Sequence, residues 1–325
     1  MTYLVTGGAG FIGSHVVRDL VREGEQVVVY DWFPERSALT RLLSEEEINS
    51  SVKIIHGDVT NFSQLTRTLK ENNVEKVIHM AAIMLLEFNA NPLLGVRVNC
   101  EGTASVFEAA RFLGLRKVVW ASSGSVYGPP EKYPEEYIPN DAAHYPQNIY
   151  GAAKSFDEFV AGYYSDRYGM DITALRFVMV YGAGQARGRT AAIIRELVCH
   201  PALGKPGKVP AASDNILGWT YVDDAARATV LASKASKTST RAFSVRGEIH
   251  TVQEIADYVK ELVPDADITL LPLEKSASHT IMTCKYDTSM IEEELGFHPQ
   301  WTMKQGIRET MNTVRREHGL APLPS

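Results

Sequence analysis

The sequence predicts an α/β protein built on a doubly wound parallel sheet, followed by a smaller mixed α/β region. Short apolar segments alternate with helical segments through the first 180 residues. Three glycines, Gly7, Gly10 and Gly13, stand where the first apolar segment passes into a helical one. Polar or small residues follow several of the apolar segments, as expected at the carboxyl ends of parallel strands, where ligands of such sheets bind.

The first strand and helix surround the glycines. Tyr3-Leu4-Val5 is short and apolar, and helical spacing begins at Phe11 and Ile12. A tight bend, a backbone lying close to a pyrophosphate and a helix packed on its strand all exclude a Cβ, which explains glycine at these positions. The N-terminus of the helix would offer free N–H groups to phosphates. The stretch predicts a dinucleotide site, although such turns also occur for packing alone.

The second strand, Gln26 to Asp31, ends in an acid. Its spacing from the glycines is close to that at which a carboxylate binds the adenosine ribose hydroxyls. Asp31 therefore favours NAD over NADP, because it would repel a 2'-phosphate. Asp31 could also cap the following turn, and the nearby Arg36 keeps NADP open as an alternative.

The remaining elements of the predicted sheet follow in alternation. The pattern predicts strands over 52–56, 74–80, 117–121 and 171–180, and helices over 61–70, 92–113 and 150–168. Helices are also expected over 190–199 and 223–234, and a strand over 219–222. We predict an NAD-binding domain over 1–180, with the segment 215–247 returning to it, and a discontinuous substrate domain over 181–325.

Composition excludes several classes of function. The net charge of −6 provides no basic footprint for nucleic acid. The three cysteines, Cys100, Cys199 and Cys284, are too far apart for a zinc cluster and are odd in number, which suggests a reducing compartment. The longest apolar run, 77–88, is interrupted by a histidine and a glutamate, and the first strand begins almost at Met1. We expect a cytoplasmic protein with no membrane span, no signal peptide and no metal site.

Tyr150 and Lys154 carry the expected chemistry. They are one helical turn apart on one face of the predicted helix. A phenol is a poor base at neutral pH, and a neighbouring cation stabilises its phenolate. Beside a nicotinamide, the tyrosine can exchange a proton with an alcohol or ketone while hydride moves at the same carbon. Ser122 or Ser123, at the end of the fifth strand, can hold the substrate oxygen.

Several motifs together resemble the extended short-chain dehydrogenases/reductases, the group that contains the nucleotide-sugar epimerases and dehydratases. The resemblance covers most of the chain and rests on Thr6-Gly-Gly-Ala-Gly-Phe-Ile-Gly13, Asp58-Val59, His79-Met-Ala-Ala82, Asn99 with Gly102-Thr103, Ser122-Ser-Gly-Ser-Val-Tyr-Gly128, Tyr150-x-x-x-Lys154, Leu175-Arg176 and Tyr221-Val-Asp-Asp224.

The resemblance implies roles for individual residues. It makes Ser123, Tyr150 and Lys154 catalytic. It implies adenine contacts for Asp58 and Val59, and a contact to the nicotinamide-side ribose for Ala81. Lys154 would bind both that ribose and the tyrosine. The expected NAD-binding residues are Gly7, Gly10, Phe11, Ile12, Gly13, Asp31, Asp58, Val59, Ala81, Ala82, Asn99, Tyr150 and Lys154. A homodimer through the helices at 92–113 and 150–168 is also implied.

The sequence departs from this family at positions that bear on the substrate. Dehydratases of the family have an Asp-Glu pair where this chain has Gly124 and Ser125, which argues against elimination of water. Epimerases have an asparagine at Met179 and an Arg-Asp at Leu217-Gly218. A later arginine of the family is also absent from 277–280. Because a diphosphate is costly to desolvate without paired cations or donors, these departures argue against a UDP-sugar.

The expected activity is therefore an NAD-dependent oxidoreductase acting at a secondary alcohol or ketone of a sugar-like or other small polyfunctional molecule. The candidate substrate contacts are Met84, Ser125, Met179, Arg187 and Arg189. One alternative is a UDP-sugar 4-epimerase, which uses the same serine, tyrosine and lysine but returns the hydride to the opposite face. A second alternative is a non-catalytic NAD-sensing protein of the same fold.

Overall fold

The computed structural model describes residues 1–115, 117–210, 216–271 and 285–324. Seven strands in this part of the chain form one parallel sheet: β1 (Thr2–Thr6), β2 (Gln26–Asp31), β3 (Val52–His56), β4 (Lys76–His79), β5 (Lys117–Ser123), β6 (Asp171–Phe177) and β10 (Ala242–Val245). Their order across the sheet is β3-β2-β1-β4-β5-β6-β10. The predicted doubly wound sheet is confirmed.

Helices cover both faces of the sheet. The α-helices are α1 (Phe11–Arg22), α2 (Ser37–Thr40), α3 (Glu45–Ser51), α4 (Phe62–Glu71), α5 (Leu85–Ala90), α6 (Pro92–Val96), α7 (Thr103–Phe112), α8 (Ile149–Tyr168), α9 (Gly188–Ile194), α10 (His200–Ala202), α11 (Val222–Lys234), α12 (Val252–Leu262), α13 (Ser289–Leu295) and α14 (Met303–Glu317). Their apolar sides form separate cores on the two faces, because successive strand residues point in opposite directions. Val5 packs with α1 and α11, whereas Leu4 packs with α4, α7 and α8.

A smaller region packs against the later strands of the large sheet, β5, β6 and β10. Its strands are β7 (Met179–Tyr181), β8 (Gly207–Val209), β9 (Ile216–Tyr221), β11 (Ile249–Thr251) and β12 (Ile268–Leu270). They form the three-stranded sheet β11-β9-β7 and the pair β12-β8. Between these strands the chain re-enters the large sheet, since β10 pairs with β6 in parallel. The predicted division near residue 180 remains a proposal.

Two predicted elements are interrupted. The helix expected over 92–113 contains a π turn at Arg97–Gly102. The strand expected over 171–180 divides at Val178, because β6 pairs within the large sheet while β7 pairs with β9. The break at Val178 has a tertiary cause, because one segment pairs in two sheets and local hydrophobic periodicity does not record that change of partner.

Some expectations concern parts of the chain beyond the described residues: Cys284 and the segment 277–280 lie outside them. Across the residues that are described, no helix is both long and apolar enough to cross a membrane. Within the same residues, no group of three or more His, Cys, Asp or Glu side chains is arranged to hold a metal ion.

Candidate active site

The turn between β1 and α1 is a close-packed cradle made by glycine. Gly7 has a φ of +66°, and its amide donates to Tyr30 O at 3.0 Å. A Cβ on Gly7 would lie 2.7 Å from Ala81 N, and a Cβ on Gly13 would lie 2.1 Å from Gly7 O. Side chains at these positions would therefore push the turn away from β4 and α1 away from the turn.

The first turn of α1 is open to a ligand. Gly10 is the N-cap, is exposed and provides no side-chain cap, and no acidic residue lies in the first helical turn. The N–H groups of an uncapped first turn and the positive end of the helix dipole favour an anion there. Together with the glycine cradle, this geometry fits a dinucleotide pyrophosphate.

Asp31 lies at the end of β2 beside this cradle. Its carboxylate accepts from Ala9 N at 3.0 Å and from Phe33 N at 2.9 Å. Burial raises the pKa of Asp31, whereas these backbone donors and the nearby Arg187 oppose the shift. Asp31 thus holds the turn in shape, and its position also suits a ribose. Arg36, which kept NADP open, donates to Glu45 Oε2 at 2.7 Å.

The other expected cofactor residues lie along the same sheet edge. Asp58 Oδ1 accepts from Thr60 N at 2.8 Å, and Ala81 N donates to Thr6 Oγ1 at 3.3 Å. Ala82 follows Ala81, and Val59 is buried. Asn99 uses both ends of its amide on the Ile83 backbone, at 2.7 and 2.9 Å. Asn99 therefore fixes the chain leaving β4, and it does so from within the π turn.

Ser123, Tyr150 and Lys154 meet at the end of β5. Ser123 lies beside Tyr150 and acts to lower the pKa of its phenol. Ser125 N donates to Ser123 Oγ at 3.1 Å, so the serine hydroxyl can donate to the tyrosine oxygen. Lys154 Nζ donates to Ala121 O at 2.8 Å and lies 5.8 Å from the centre of the Tyr150 ring. The structure thus places the three residues together at the end of β5.

The adjacent serine has a different role. Ser122 Oγ donates to Glu158 Oε1 at 2.5 Å, and Glu158 accepts two hydrogen bonds from Arg176, at 2.8 and 2.6 Å. Alternation along β5 turns Ser122 and Ser123 in opposite directions. Ser122 therefore belongs to a buried ion-pair network, and Ser123 is the serine that contacts Tyr150.

Substitution of the two serines should have opposite consequences. For Ser123→Ala, we expect turnover to fall by about 100-fold with little loss of stability. For Ser122→Ala, we expect activity to stay within a few-fold while the free energy of unfolding falls by about 1–3 kcal/mol, because Glu158 loses a buried donor. Steady-state kinetics and urea denaturation of both variants test this. The reverse assignment, with Ser122→Ala inactive, would refute it.

Burial controls the charges at this site. It raises the pKa of Tyr150 to about 12, while the hydrogen bond to Ser123 acts in the other direction. It lowers the pKa of Lys154, and the nearby Asp157 opposes that change. It raises the pKa of Asp157 to about 7, against the effect of Lys154. At neutral pH the tyrosine is therefore protonated in the free protein.

The expected substrate residues divide between two places. A Cβ built on Gly188 would lie 3.9 Å from the methyl of Met84, and Thr190 Oγ1 lies 3.3 Å from Met179 Sδ. Met84 and Met179 thus form an apolar wall beside the start of α9, which includes Arg189. Arg187 instead lies over Phe33, with its guanidinium carbon 5.6 Å from the ring centre, at the Asp31 end.

Gly124 and Ser125 follow Ser123 in a short 3-10 turn. A Cβ built on Gly124 would lie 3.0 Å from the Tyr286 ring, and Tyr286 OH donates to Gly124 O at 3.3 Å. The turn is therefore packed against Tyr286, and a longer side chain at Gly124 would displace it.

Sequence reasoning missed a buried polar cluster behind Lys154. Asp157 is 1% exposed, and Lys154 and Thr103 act to lower the pKa of its carboxyl group, which burial raises. Thr103 in turn contacts His79, and His79 contacts Thr6. His79 and Thr103 belong to motifs that carry the family resemblance, but the sequence analysis assigned them no role. The sequence did contain one indication of this cluster, because Asp157, three residues after Lys154, lies on the same side of the predicted helix.

The glycine cradle and the uncapped helix fit an NAD-dependent enzyme. The sequence model of the NAD dependent epimerase/dehydratase family matches residues 3–245, and the chain belongs to this family. NAD is accordingly its cofactor.

The chain is similar along nearly its whole length to characterised proteins. It is 27% identical over 321 residues to a UDP-N-acetyl-alpha-D-glucosaminuronate decarboxylase of Bacillus cytotoxicus, covering 96% of this chain and 97% of the relative. It is 27% identical to the UDP-glucose 4-epimerase of Thermus thermophilus, solved with NAD, with a TM-score of 0.79 and 97% and 99% coverage. A partial consensus L-threonine 3-dehydrogenase, 22% identical, has the same fold, with a TM-score of 0.85 and 97% and 100% coverage.

Proposed function

We propose that this protein is an NAD-dependent oxidoreductase that acts at a secondary alcohol or ketone of a sugar-like or other small polyfunctional substrate. The position of Ser123 beside Tyr150 at the end of β5, with Lys154 Nζ 5.8 Å from the centre of the Tyr150 ring, is the observation that carries the proposal. Bound NAD would supply the chemistry of hydride acceptance and return. The residues that bind it are proposed to be those at the sheet edge, from Gly7 to Asn99.

The protein contributes the proton transfer and the orientation. Tyr150 takes the hydroxyl proton from an alcohol, or returns it to a carbonyl, at the phenol oxygen. Ser123 donates to the same substrate oxygen and holds it within reach of Tyr150. Lys154 stabilises the phenolate by its charge, which acts strongly because the site is buried. Removal of Tyr150 would remove the proton acceptor, removal of Ser123 would leave the substrate oxygen unheld, and removal of Lys154 would leave the phenolate without its cation.

The apolar wall of Met84 and Met179 favours a compact substrate. Met84 and Met179 present apolar surface next to α9, and the Arg187 guanidinium is stacked on Phe33 at the Asp31 end. A diphosphate at this wall would lack paired donors from Met179 and from Leu217-Gly218. The packing of Tyr286 against Gly124 likewise argues against a dehydratase-type acid pair there.

A UDP-sugar epimerase is the second candidate. The two relatives whose names include UDP-sugars match more than 95% of this chain, and an epimerase would use the same three catalytic residues. The two functions differ in net redox change, since an epimerase returns the hydride and forms no free NADH.

A substrate panel separates the candidates. We expect NADH absorbance to develop with a sugar, sugar acid or hydroxy acid that lacks a nucleotide, and we expect no calorimetric signal with UDP. Conversion of a UDP-sugar without net NADH would instead assign the epimerase. Tight UDP binding that Arg187→Ala abolishes would also overturn the compact-substrate proposal.

We further propose that the protein is a homodimer through α7 and α8. Phe156, Phe159 and Tyr163 lie on one stripe of α8 and are largely exposed, Phe159 at 78%. Leu93 at 73% and Phe112 at 66% extend the apolar surface, and α8 packs beside α6 and α7. Exposed aromatic groups at helical spacing are typical of an interface.

A charge in this surface should separate the subunits. For Phe159→Glu, we expect sedimentation velocity to show a monomer at concentrations where the wild type is dimeric, because an unpaired carboxylate would be buried. Leu320→Glu, at an exposed position near the C-terminus, is the matched control and should leave the mass unchanged. A wild-type protein that sediments as a monomer would remove this proposal.

A further inference from the structure

The segment from Gly182 to Gly188, between β7 and α9, lies along the carboxyl edge of the large sheet. A Cβ built on Gly182 would lie 3.5 Å from the Phe11 ring, which stands at the start of α1 beside the glycine cradle. A Cβ built on Gly188 would lie 3.9 Å from the methyl of Met84, beyond the end of β4. The segment therefore extends from the glycine cradle to the apolar wall.

Arg187 stands near the end of this segment and reaches the end of β2. It immediately precedes α9, and its backbone is extended, with a φ of −126° and a ψ of 154°. Its guanidinium carbon lies 5.6 Å from the centre of the Phe33 ring, and Phe33 N donates to Asp31 Oδ1 at 2.9 Å. The exposed aromatic ring thus holds a cation beside the carboxylate that is expected to bind the adenosine ribose.

The other cations near the end of β2 are already paired. Arg36 is paired with Glu45 at 2.7 Å, and Arg41 is paired with Glu317 at 2.6 Å. Among the described residues, no acid lies within ion-pairing distance of Arg187, which contacts an aromatic ring instead. Of the three arginines that the described part of the chain places here, Arg187 is therefore the one available to an anion.

Asp31 can accept a ribose but not a second negative charge. Its two oxygens each accept one backbone N–H, from Ala9 at 3.0 Å and from Phe33 at 2.9 Å, so each keeps a lone pair for a hydroxyl. A 2'-phosphate on that ribose would be repelled by the carboxylate unless a nearby arginine compensated. Arg187 can supply that compensation, because a guanidinium binds phosphate through two parallel N–H groups.

We propose that Arg187 is a ligand of the adenosine 2'-phosphate, and that the protein therefore binds NADP as well as NAD. Asp31 binds the ribose in both cases, whereas the guanidinium held over Phe33 is needed for NADP alone. This inference goes beyond the proposed reaction, because it concerns which dinucleotides bind and not what the enzyme does with them. It also assigns Arg187 to the cofactor and not to the substrate.

Calorimetry with NAD and NADP tests the proposal on the protein without substrate. For Arg187→Ala, we expect the Kd for NADP to rise by about tenfold or more, while the Kd for NAD changes by less than about threefold. Equal losses for the two dinucleotides would mean that the arginine acts on a group that they share, and would overturn the proposal. A wild type that binds no NADP at about 1 mM would also overturn it.

Three further variants separate the charge of Arg187 from its surroundings. Arg187→Lys keeps a cation, and we expect an NADP affinity between those of the wild type and Arg187→Ala. Phe33→Leu removes the aromatic ring and should weaken NADP binding by a smaller factor. Arg36→Ala is the matched control, because this arginine is paired with Glu45, and it should leave the ratio of the two Kd values unchanged. A larger loss of NADP in Arg36→Ala than in Arg187→Ala would refute the assignment.

Salt provides a second readout. Because Arg187 is exposed, its contribution to NADP binding should be screened by ions. We expect the difference in NADP affinity between the wild type and Arg187→Ala to shrink steadily as the ionic strength rises toward about 1 M. A difference that does not depend on salt would point to a change of shape at the segment and would contradict a phosphate contact.

Kinetics distinguish this proposal from a role for Arg187 in substrate binding. At saturating NAD, Arg187→Ala should keep the KM for the best substrate of the panel. A rise in that KM by about tenfold or more, with NADP affinity unchanged, would return Arg187 to the substrate and overturn the proposal. If the wild type turns over no member of the panel, the proposed function fails, while calorimetry still decides whether Arg187 binds the 2'-phosphate.

Discussion

Tyr150→Phe should lose turnover by about two or more powers of ten while NAD affinity stays nearly unchanged. The substitution keeps the buried ring beside Lys154 and removes only the hydroxyl that contacts Ser123. Without that hydroxyl, the substrate proton has no acceptor within hydrogen-bonding distance. Steady-state NADH formation with the best substrate of the panel measures turnover, and calorimetry measures NAD binding.

The assignment of Tyr150 as the acid and base also predicts the direction in which the wild-type rates change with pH. Burial raises the pKa of Tyr150 to about 12, so the phenolate needed for alcohol oxidation is scarce at neutral pH. Oxidation should therefore accelerate as pH rises, and carbonyl reduction, which needs the protonated form, should slow. Tyr163→Phe, at an exposed position on the same helix, is the matched control and should keep both profiles. Full activity in Tyr150→Phe would eliminate the mechanism.

Gly13→Ala should weaken NAD binding by about tenfold or more and lower the free energy of unfolding by about 1–3 kcal/mol. Alanine favours helix over glycine, so propensity alone predicts a gain in stability. The opposite is expected because the new Cβ would lie 2.1 Å from Gly7 O. Relief of that clash must move either α1 or the turn, and both form the phosphate end of the site.

Gly162→Ala is the control for this prediction. Gly162 is also inside a helix, and its nearest contact for a Cβ is the end of the Arg241 side chain at 3.6 Å. We expect Gly162→Ala to be as stable as the wild type or more stable, with NAD affinity unchanged. Urea denaturation measures the change in the free energy of unfolding of both variants, and calorimetry measures the change in their NAD affinity. A Gly13→Ala protein that matches Gly162→Ala in both measurements would show that the cradle tolerates a side chain.

Much of the fold was predictable because its patterns are local. The glycine turn, the strand ending at Asp31 and the helix containing Tyr150 are each indicated by a few neighbouring residues, and the structure places them within one or two residues of the predicted bounds. The interruptions were not predictable. The π turn lets Asn99 reach the Ile83 backbone, and the break at Val178 moves the chain between sheets.

The roles of Ser122 and Ser123 were likewise only partly predictable from the sequence. Neighbouring serines are equivalent in spacing, and only the family resemblance favoured Ser123. The structure distinguishes them by their partners, since Ser122 donates to Glu158 while Ser123 contacts Tyr150. For Arg187 the sequence position near Met179 predicted a contact with the substrate. In the structure its side chain instead lies over the Phe33 ring.

The sequence by itself determined the class of fold, a dinucleotide site that favours NAD and the position of the Tyr150-Lys154 pair, because glycine conformation, strand-end acids and helical spacing are properties of short segments. Only the tertiary structure decided which groups surround that pair. Of these groups, Thr6, His79 and Thr103 are spread over about 100 residues and meet because parallel strands end at one edge and α7 packs behind it. Burial then sets their charges, and burial depends on packing that no local pattern encodes.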